Sequence, residues 1–273
     1  MTGMKQLSQA ELDAYRKNGY HIERRVFRHD EMQELARELD GIAAAGKPIP
    51  WHWTPDLDPT KKDDPLARYP RVMAPHKISA ASRRYYIDPR LKPLLESLLD
   101  DEPVAIQSMF YWKPPGARGQ AFHQDNYYAR IKPTPCIAGW VAVDPSTPGN
   151  GGLYVVPGTQ NMDIQCPEPA DSSKSFYPDF VRIPAGLTPV PAELEPGDVL
   201  FFEGNILHGS NPNYSKTMWR RSHVCHYMPR HSTHASQFFL PALTFDGDFV
   251  SCQPNGDVGP CGGPEGSQAT AIT

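Results

Sequence analysis

From about residue 103 onward the chain breaks into short β-branched and aromatic runs, VAIQSMFYW, CIAGWVAV, GLYVV, VLFFE and RSHVCHYM, separated by clusters of proline and glycine. Such runs have the length and residue types of strands, and the breakers between them leave no room for long helices. Several short strands spaced this way predict a mainly β fold, a sandwich or jelly roll. The residues ahead of it read as helical. Ser8 followed by Glu11 is a capping-box signature for a first helix. Met32, Leu35, Ala36, Leu39 and Ile42 recur at helical spacing in a second, over residues 30–44, with Asp30 as its cap. Leu91, Leu94, Leu95 and Leu98 mark a third, starting at Asp88 and Pro89.

The intervening residues 45–75 are proline-rich and charged, and predict an extended surface loop. Residues 161–190 form a long polar stretch between two strands, either a lid over a site or a solvated insertion. A single domain is expected over residues 1–246, with flanking helices to 103 and a jelly-roll core from 104. The Gly, Pro and Ser content from Gly247 to Thr273 predicts a disordered tail.

Charge and cysteine content restrict the function. The chain of 273 residues carries a formal net charge of -4 with its Lys and Arg scattered, which argues against nucleic acid or a polybasic membrane contact as the main partner. No stretch has the apolar length of a membrane span, and the polar N-terminus lacks a signal-peptide core, so a soluble, cytoplasmic protein is expected. Its oligomeric state is not readable. Five irregularly spaced cysteines without a Cys-x-x-Cys indicate neither a disulfide framework nor a zinc site.

The stretch FHQDNYY sets His123 and Asp125 two residues apart, on one face if the strand continues through them. A His-x-Asp match arises by chance about once in a chain of this composition, so a further ligand is needed. His208, just past VLFFE, supplies a candidate. Two imidazoles and one carboxylate suit a non-haem ferrous ion that keeps positions open for a cosubstrate and oxygen. A histidine after a strand is, on its own, more often simply hydrogen-bonded. His223 and His226, three apart on a strand, face opposite sides and cannot pair as His123 and Asp125 do.

The segments KPPGARGQAFHQDNYY, NGGLYVVPGTQ, EPGDVLFFEGNILHGSNPN and RRSHVCHYM, in that order over roughly residues 104–228, closely resemble the phytanoyl-CoA dioxygenase family of iron(II)- and 2-oxoglutarate-dependent oxygenases. The resemblance implies a double-stranded β-helix fold, with Fe(II), 2-oxoglutarate and O2 as cofactors and cosubstrates. It also implies that His123, Asp125 and His208 bind the iron. Arg220 would bind the distal carboxylate of 2-oxoglutarate, with Arg221, facing the other side of the strand, as the alternative. Ser210 would touch the same carboxylate, Trp140 would line the cosubstrate pocket, and Tyr111 would contact the cosubstrate's other end.

Gln107, four residues from Tyr111, shares its face in a regular strand and is a candidate substrate contact. Lys77 either enters the pocket or is a solvated surface lysine. The presence of Asp125 favours hydroxylation of a small molecule, with release of succinate and CO2, over halogenation. Desaturation, epimerisation and ring formation stay open, as do two rivals: a cupin-type metal-dependent hydrolase or isomerase, and a non-catalytic metal-binding jelly roll. The substrate is expected to be a free small molecule, anionic if Arg130 and Lys132 face it.

Overall fold

The computed structural model describes residues 6–256 and Cys261. All five apolar runs form strands, as Pro103–Tyr111, Ile137–Ala142, Leu153–Val155, Val199–Glu203 and Ser222–Pro229. They divide between two sheets. The larger runs Tyr20–Glu23, Val199–Glu203, Ile137–Ala142, Ser222–Pro229, Pro103–Tyr111, Ala242–Leu243 and Phe249–Val250, every neighbour antiparallel, with Val72–Met73 also pairing on Pro103–Tyr111. The smaller runs Gln120–His123, His208–Ser210, Leu153–Val155 and Val190–Pro191. This is the double-stranded β-helix.

Side-chain parity explains why the runs are apolar almost throughout. In the large sheet Ala138, Trp140, Ala142, Leu200, Phe202 and Val224 pack with Leu153 and Val155 of the small sheet. The alternate residues, among them Ile137, Val141, Val199, Phe201, Cys225 and Tyr227, pack against Met32, Leu35, Leu39, Leu94 and Leu95 of the helices. A sheet covered on both faces needs apolar residues at every position. Each fully buried Leu or Phe contributes about 1.5–3 kcal/mol.

The helices differ in detail from the sequence reading. The first, Gln9–Asn18, carries the expected capping box of Ser8 and Glu11. The second spans His29–Ala45 with Arg28 at the cap position, so Asp30 lies in the first turn instead, bonded to the Arg28 side chain. The third begins only at Lys92, because the Asp88 carboxylate accepts from the Arg90 backbone and guanidinium and turns the chain first. A helix over Ala80–Tyr86, capped by Ser79, and the edge strand Tyr20–Glu23 had no periodic signal long enough to read.

The two loop regions are built into the fold. Residues 45–75 contain a short helix, Pro65–Arg68, and the strand Val72–Met73. Residues 161–190 contain the paired segments Glu168–Pro169 and Asp179–Phe180, and are stitched to the small sheet by Phe176 N to Gly119 O at 2.9 Å and Val181 N to Phe122 O at 2.7 Å. The tail departs most from expectation. Phe249–Val250 pairs with Ala242–Leu243 at the edge of the larger sheet and Gln253–Pro254 pairs with His234–Ala235 in a separate two-stranded ribbon, so ordered strands reach Pro254. Cys166 and Cys261 form a disulfide across a sequence separation of 95, a pairing that no local motif announces. The rest of the expected tail lies outside the described residues. Among the described residues no helix is long and apolar enough to cross a membrane.

Candidate active site

The strand Gln120–His123 ends at His123, and Asp125 opens a short helix, Asp125–Ala129. The two therefore meet through a turn, not by sharing a strand face. Gln124 between them fixes that turn: its amide donates to Asn205 O at 2.8 Å and accepts from Gln165 N at 2.8 Å. His208 begins the adjacent strand and stands directly opposite His123 in the antiparallel register. Nε2 of His123 and Nε2 of His208 each lie 3.5 Å from Asp125 Oδ1. The three possible ligand atoms fall within 4.8 Å of one another.

Hydrogen bonding behind the three side chains suits a cation in front of them. His123 Nδ1 is 2.9 Å from Ala121 O and His208 Nδ1 is 3.2 Å from Ile206 O, so each Nδ1 carries the proton and each Nε2 presents a lone pair. Burial pushes His208 down to about 4, which keeps it neutral. The second oxygen of Asp125 accepts from His226 Nε2 at 3.0 Å. Burial alone would raise the Asp125 pKa, but His208 and His226 beside it hold the carboxyl well below its usual range. Two neutral imidazoles and one carboxylate converging on a point are a donor set that fits a divalent iron ion.

Arg220 and Arg221 take opposite faces of the chain entering Ser222–Pro229. Arg221 is tied to Asp144, its Nε and Nη2 each 2.8 Å from a carboxylate oxygen, and to Asp40 at 2.6 Å. Arg220 faces the cavity and is only 4% exposed, yet no carboxylate pairs with it among the described residues. Nη1 donates to Ser222 Oγ at 2.8 Å, the guanidinium lies 5.3 Å from the centre of the Trp140 ring, and Nε has no partner. Burial pulls its pKa down to about 10. Ser210 lies in the same wall. Its Oγ accepts from Lys113 Nζ at 2.8 Å and Gln120 N at 3.2 Å, which fills both lone pairs and leaves its own proton to donate into the cavity. Gly119 permits this approach, since a Cβ there would collide with the Ser210 carbonyl.

Trp140 and Tyr111 line the cavity, which has a volume of about 670 Å³ and contains all three candidate ligands. Gln107 lies on the same side of its strand, paired in register with His226, but is not among the lining residues, and its Oε1 is buried without a partner. Lys77 and Lys132 are exposed and Arg130 is partly buried, and none of the three lines the cavity. His226, set aside as a ligand in the sequence reading, also lines the cavity, as do Lys113 and Arg71, which that reading did not reach. His226 has the same strand parity as Arg220 and Val224, and that parity was enough to find it. Lys113 and Arg71 lie in loops, where no periodicity marks them.

The family model described as phytanoyl-CoA dioxygenase (PhyH) matches residues 15–222. The chain is 27% identical over 154 residues to phytanoyl-CoA dioxygenase 1 of Oryza sativa subsp. japonica, covering 51% of this chain and 50% of that protein. The chain spans about half the length of the curated plant relatives it matches. Among solved structures, the epimerase SnoN in complex with Fe3+, alpha ketoglutarate and nogalamycin RO superposes with a TM-score of 0.65 at 20% identity, covering 92% of this chain and 96% of that one. EctD from S. alaskensis, solved with 2-oxoglutarate and 5-hydroxyectoine, gives 0.66 at 23% identity, over 84% and 78% of the two chains. These two likenesses establish the fold.

Proposed function

Because the chain belongs to the phytanoyl-CoA dioxygenase family, we propose that it is an iron(II)- and 2-oxoglutarate-dependent dioxygenase that hydroxylates a small molecule. The observation that carries this reading is the presence, in one cavity, of a two-histidine, one-carboxylate cluster and a buried guanidinium with no acidic partner among the described residues. A charge buried alone costs several kcal/mol, and a dicarboxylate cosubstrate offsets that cost. A hydrolase or isomerase of the cupin type has no use for Arg220.

His123, Asp125 and His208 would hold the metal, and His226, bonded to Asp125 Oδ2, keeps the carboxylate turned with Oδ1 toward the two imidazoles. Arg220 and Ser210 take the distal carboxylate of 2-oxoglutarate, Arg220 through its charge and fork of N–H groups and Ser210 through its remaining proton. Trp140 supports the guanidinium from beneath. Phe176 and Tyr177 of the 161–190 segment and Trp53 of the 45–75 segment wall the cavity and shield the reaction from water. When bound, the iron together with 2-oxoglutarate and O2 supplies an oxidant that takes hydrogen from a substrate carbon and returns a hydroxyl, with succinate and CO2 as coproducts.

The test is succinate formation from 2-oxoglutarate under air by the iron-loaded protein and by Asp125→Ala. Turnover by the first and none by the second supports the reading. Equal succinate from both, without added carboxylate or halide, overturns it.

A further inference from the structure

The cavity holds one more cation that no carboxylate of the described residues neutralises. Of the charged residues at its wall, Lys61 lies 2.6 Å from Asp56 and Arg118 lies 2.7 Å from Asp64, so each is committed to a carboxylate. Lys113 spends its donors on Gly151 O, Ser210 Oγ and Asn211 O. Arg71 is different. Its guanidinium lies over two rings of the 161–190 segment, 5.2 Å from the centre of Tyr177 and 5.9 Å from that of Phe176. Its hydrogen bonding is to tyrosines alone among the described residues, with Nη1 to Tyr111 Oη a long contact of 3.4 Å and Tyr177 a second partner. Among the described residues no carboxylate comes within ion-pair distance of it.

A guanidinium has five N–H donors and keeps its charge at any working pH. Held against aromatic rings, it loses little freedom when it captures an anion. The 2-oxoglutarate carboxylate is already provided for by Arg220 and Ser210.

We propose that Arg71 is the anchor for the prime substrate, and that this substrate is an organic anion carrying a carboxylate, phosphate or sulfate group beside an apolar body. The assignment rests on the dioxygenase reading of the cavity. Tyr111 donates to Met109 Sδ and meets Arg71 through its oxygen, so it joins the substrate end of the cavity to the wall that carries Arg220. Phe176 and Tyr177 face the apolar body, and the 161–190 segment is thereby the specificity wall of the site. The cations Arg130 and Lys132, which follow the metal motif in the sequence, take no part.

The experiment is calorimetric titration of the anaerobic iron(II)–2-oxoglutarate protein with benzoate, phenyl phosphate and benzyl alcohol. At least one of the two anions is expected to bind once per chain, and the neutral alcohol at least tenfold more weakly. Arg71→Gln is expected to lose at least tenfold in anion affinity while 2-oxoglutarate binding stays within twofold. Arg71→Lys, which keeps the charge and loses the fork, provides the comparison if the first variant does not fold, with an expected loss of about threefold to tenfold for phenyl phosphate.

The proposal is overturned if neither anion binds, if the variants bind the anions as the parent does, or if Arg71→Gln weakens 2-oxoglutarate tenfold, which would make Arg71 a cosubstrate residue. Failure of the parent protein to bind 2-oxoglutarate at all is a separate result. It removes the dioxygenase reading, and the assignment of Arg71 to a second ligand falls with it.

Discussion

Replacing Arg220 by methionine is expected to make the free protein more stable and, at the same time, nearly blind to 2-oxoglutarate. Arg220 is 4% exposed, has one side-chain hydrogen bond and leaves Nε unpartnered. A guanidinium pulled by burial from its ordinary value down to about 10 carries a penalty of about 3 kcal/mol in its charged form, present at every pH below about 10. Methionine replaces the aliphatic stem and carries no charge, so it relieves this penalty. It forfeits the Ser222 hydrogen bond and the contact with the Trp140 face, worth about 1–2 kcal/mol together. The net gain is about 1–2 kcal/mol, or roughly 2–8 °C in melting temperature.

The cosubstrate side has the opposite sign. Two charge-assisted hydrogen bonds at about 1.5–3 kcal/mol each weaken 2-oxoglutarate binding by about two to four orders of magnitude when lost. The assay is thermal melting of both proteins with iron(II) under nitrogen, with and without 2-oxoglutarate. The parent should melt higher with the ligand; the variant should start higher and not respond. A variant that melts lower than the parent and still responds to 2-oxoglutarate would refute both halves of the reasoning.

Three further outcomes are expected. His226→Ala should weaken iron(II) or manganese(II) binding about 10–100-fold, read by metal titration, because Asp125 loses the donor on its second oxygen; unchanged affinity would mean that Asp125 is held in place without it. Gln107→Ala should leave iron and 2-oxoglutarate binding intact and, if Gln107 touches substrate, let succinate exceed hydroxylated product; an unchanged ratio assigns its unpartnered Oε1 to the scaffold. Glu203 is pushed up to about 8 by burial. The folded state therefore holds a proton that the unfolded chain has released, and stability should fall by up to about 4 kcal/mol as pH rises from about 4.5 to 8. Glu203→Gln should remove that slope in denaturant melts, and a slope equal to the parent's would show that other groups set it.

The strands were legible because a sheet buried on both faces demands β-branched and aromatic residues at every position, as in CIAGWVAV and VLFFE. The pairing of Tyr20–Glu23 was not, since four residues beside a helix carry no readable period. The choice between Arg220 and Arg221 follows from alternation alone: Arg220 shares parity with Val224, which faces the small sheet, and Arg221 shares parity with Cys225, which faces the helices. The same rule extended by one step reaches His226. Asp125 shows where alternation misleads, because the strand stops at His123 and a turn, held by Gln124, brings the carboxylate to the same point. Arg71 and the Cys166–Cys261 disulfide depend on long-range packing of loops, which leaves no local signal.

The central claim is that one cavity holds iron and 2-oxoglutarate together, the first on His123, Asp125 and His208 and the second anchored by Arg220. Anaerobic titration of 2-oxoglutarate into the iron(II)-loaded protein tests it directly. The account predicts a visible charge-transfer absorption that saturates at one 2-oxoglutarate per chain and that neither Asp125→Ala nor Arg220→Met develops at the same concentration. Absence of the band at saturating 2-oxoglutarate, or 2-oxoglutarate binding of equal strength with and without iron, would contradict it.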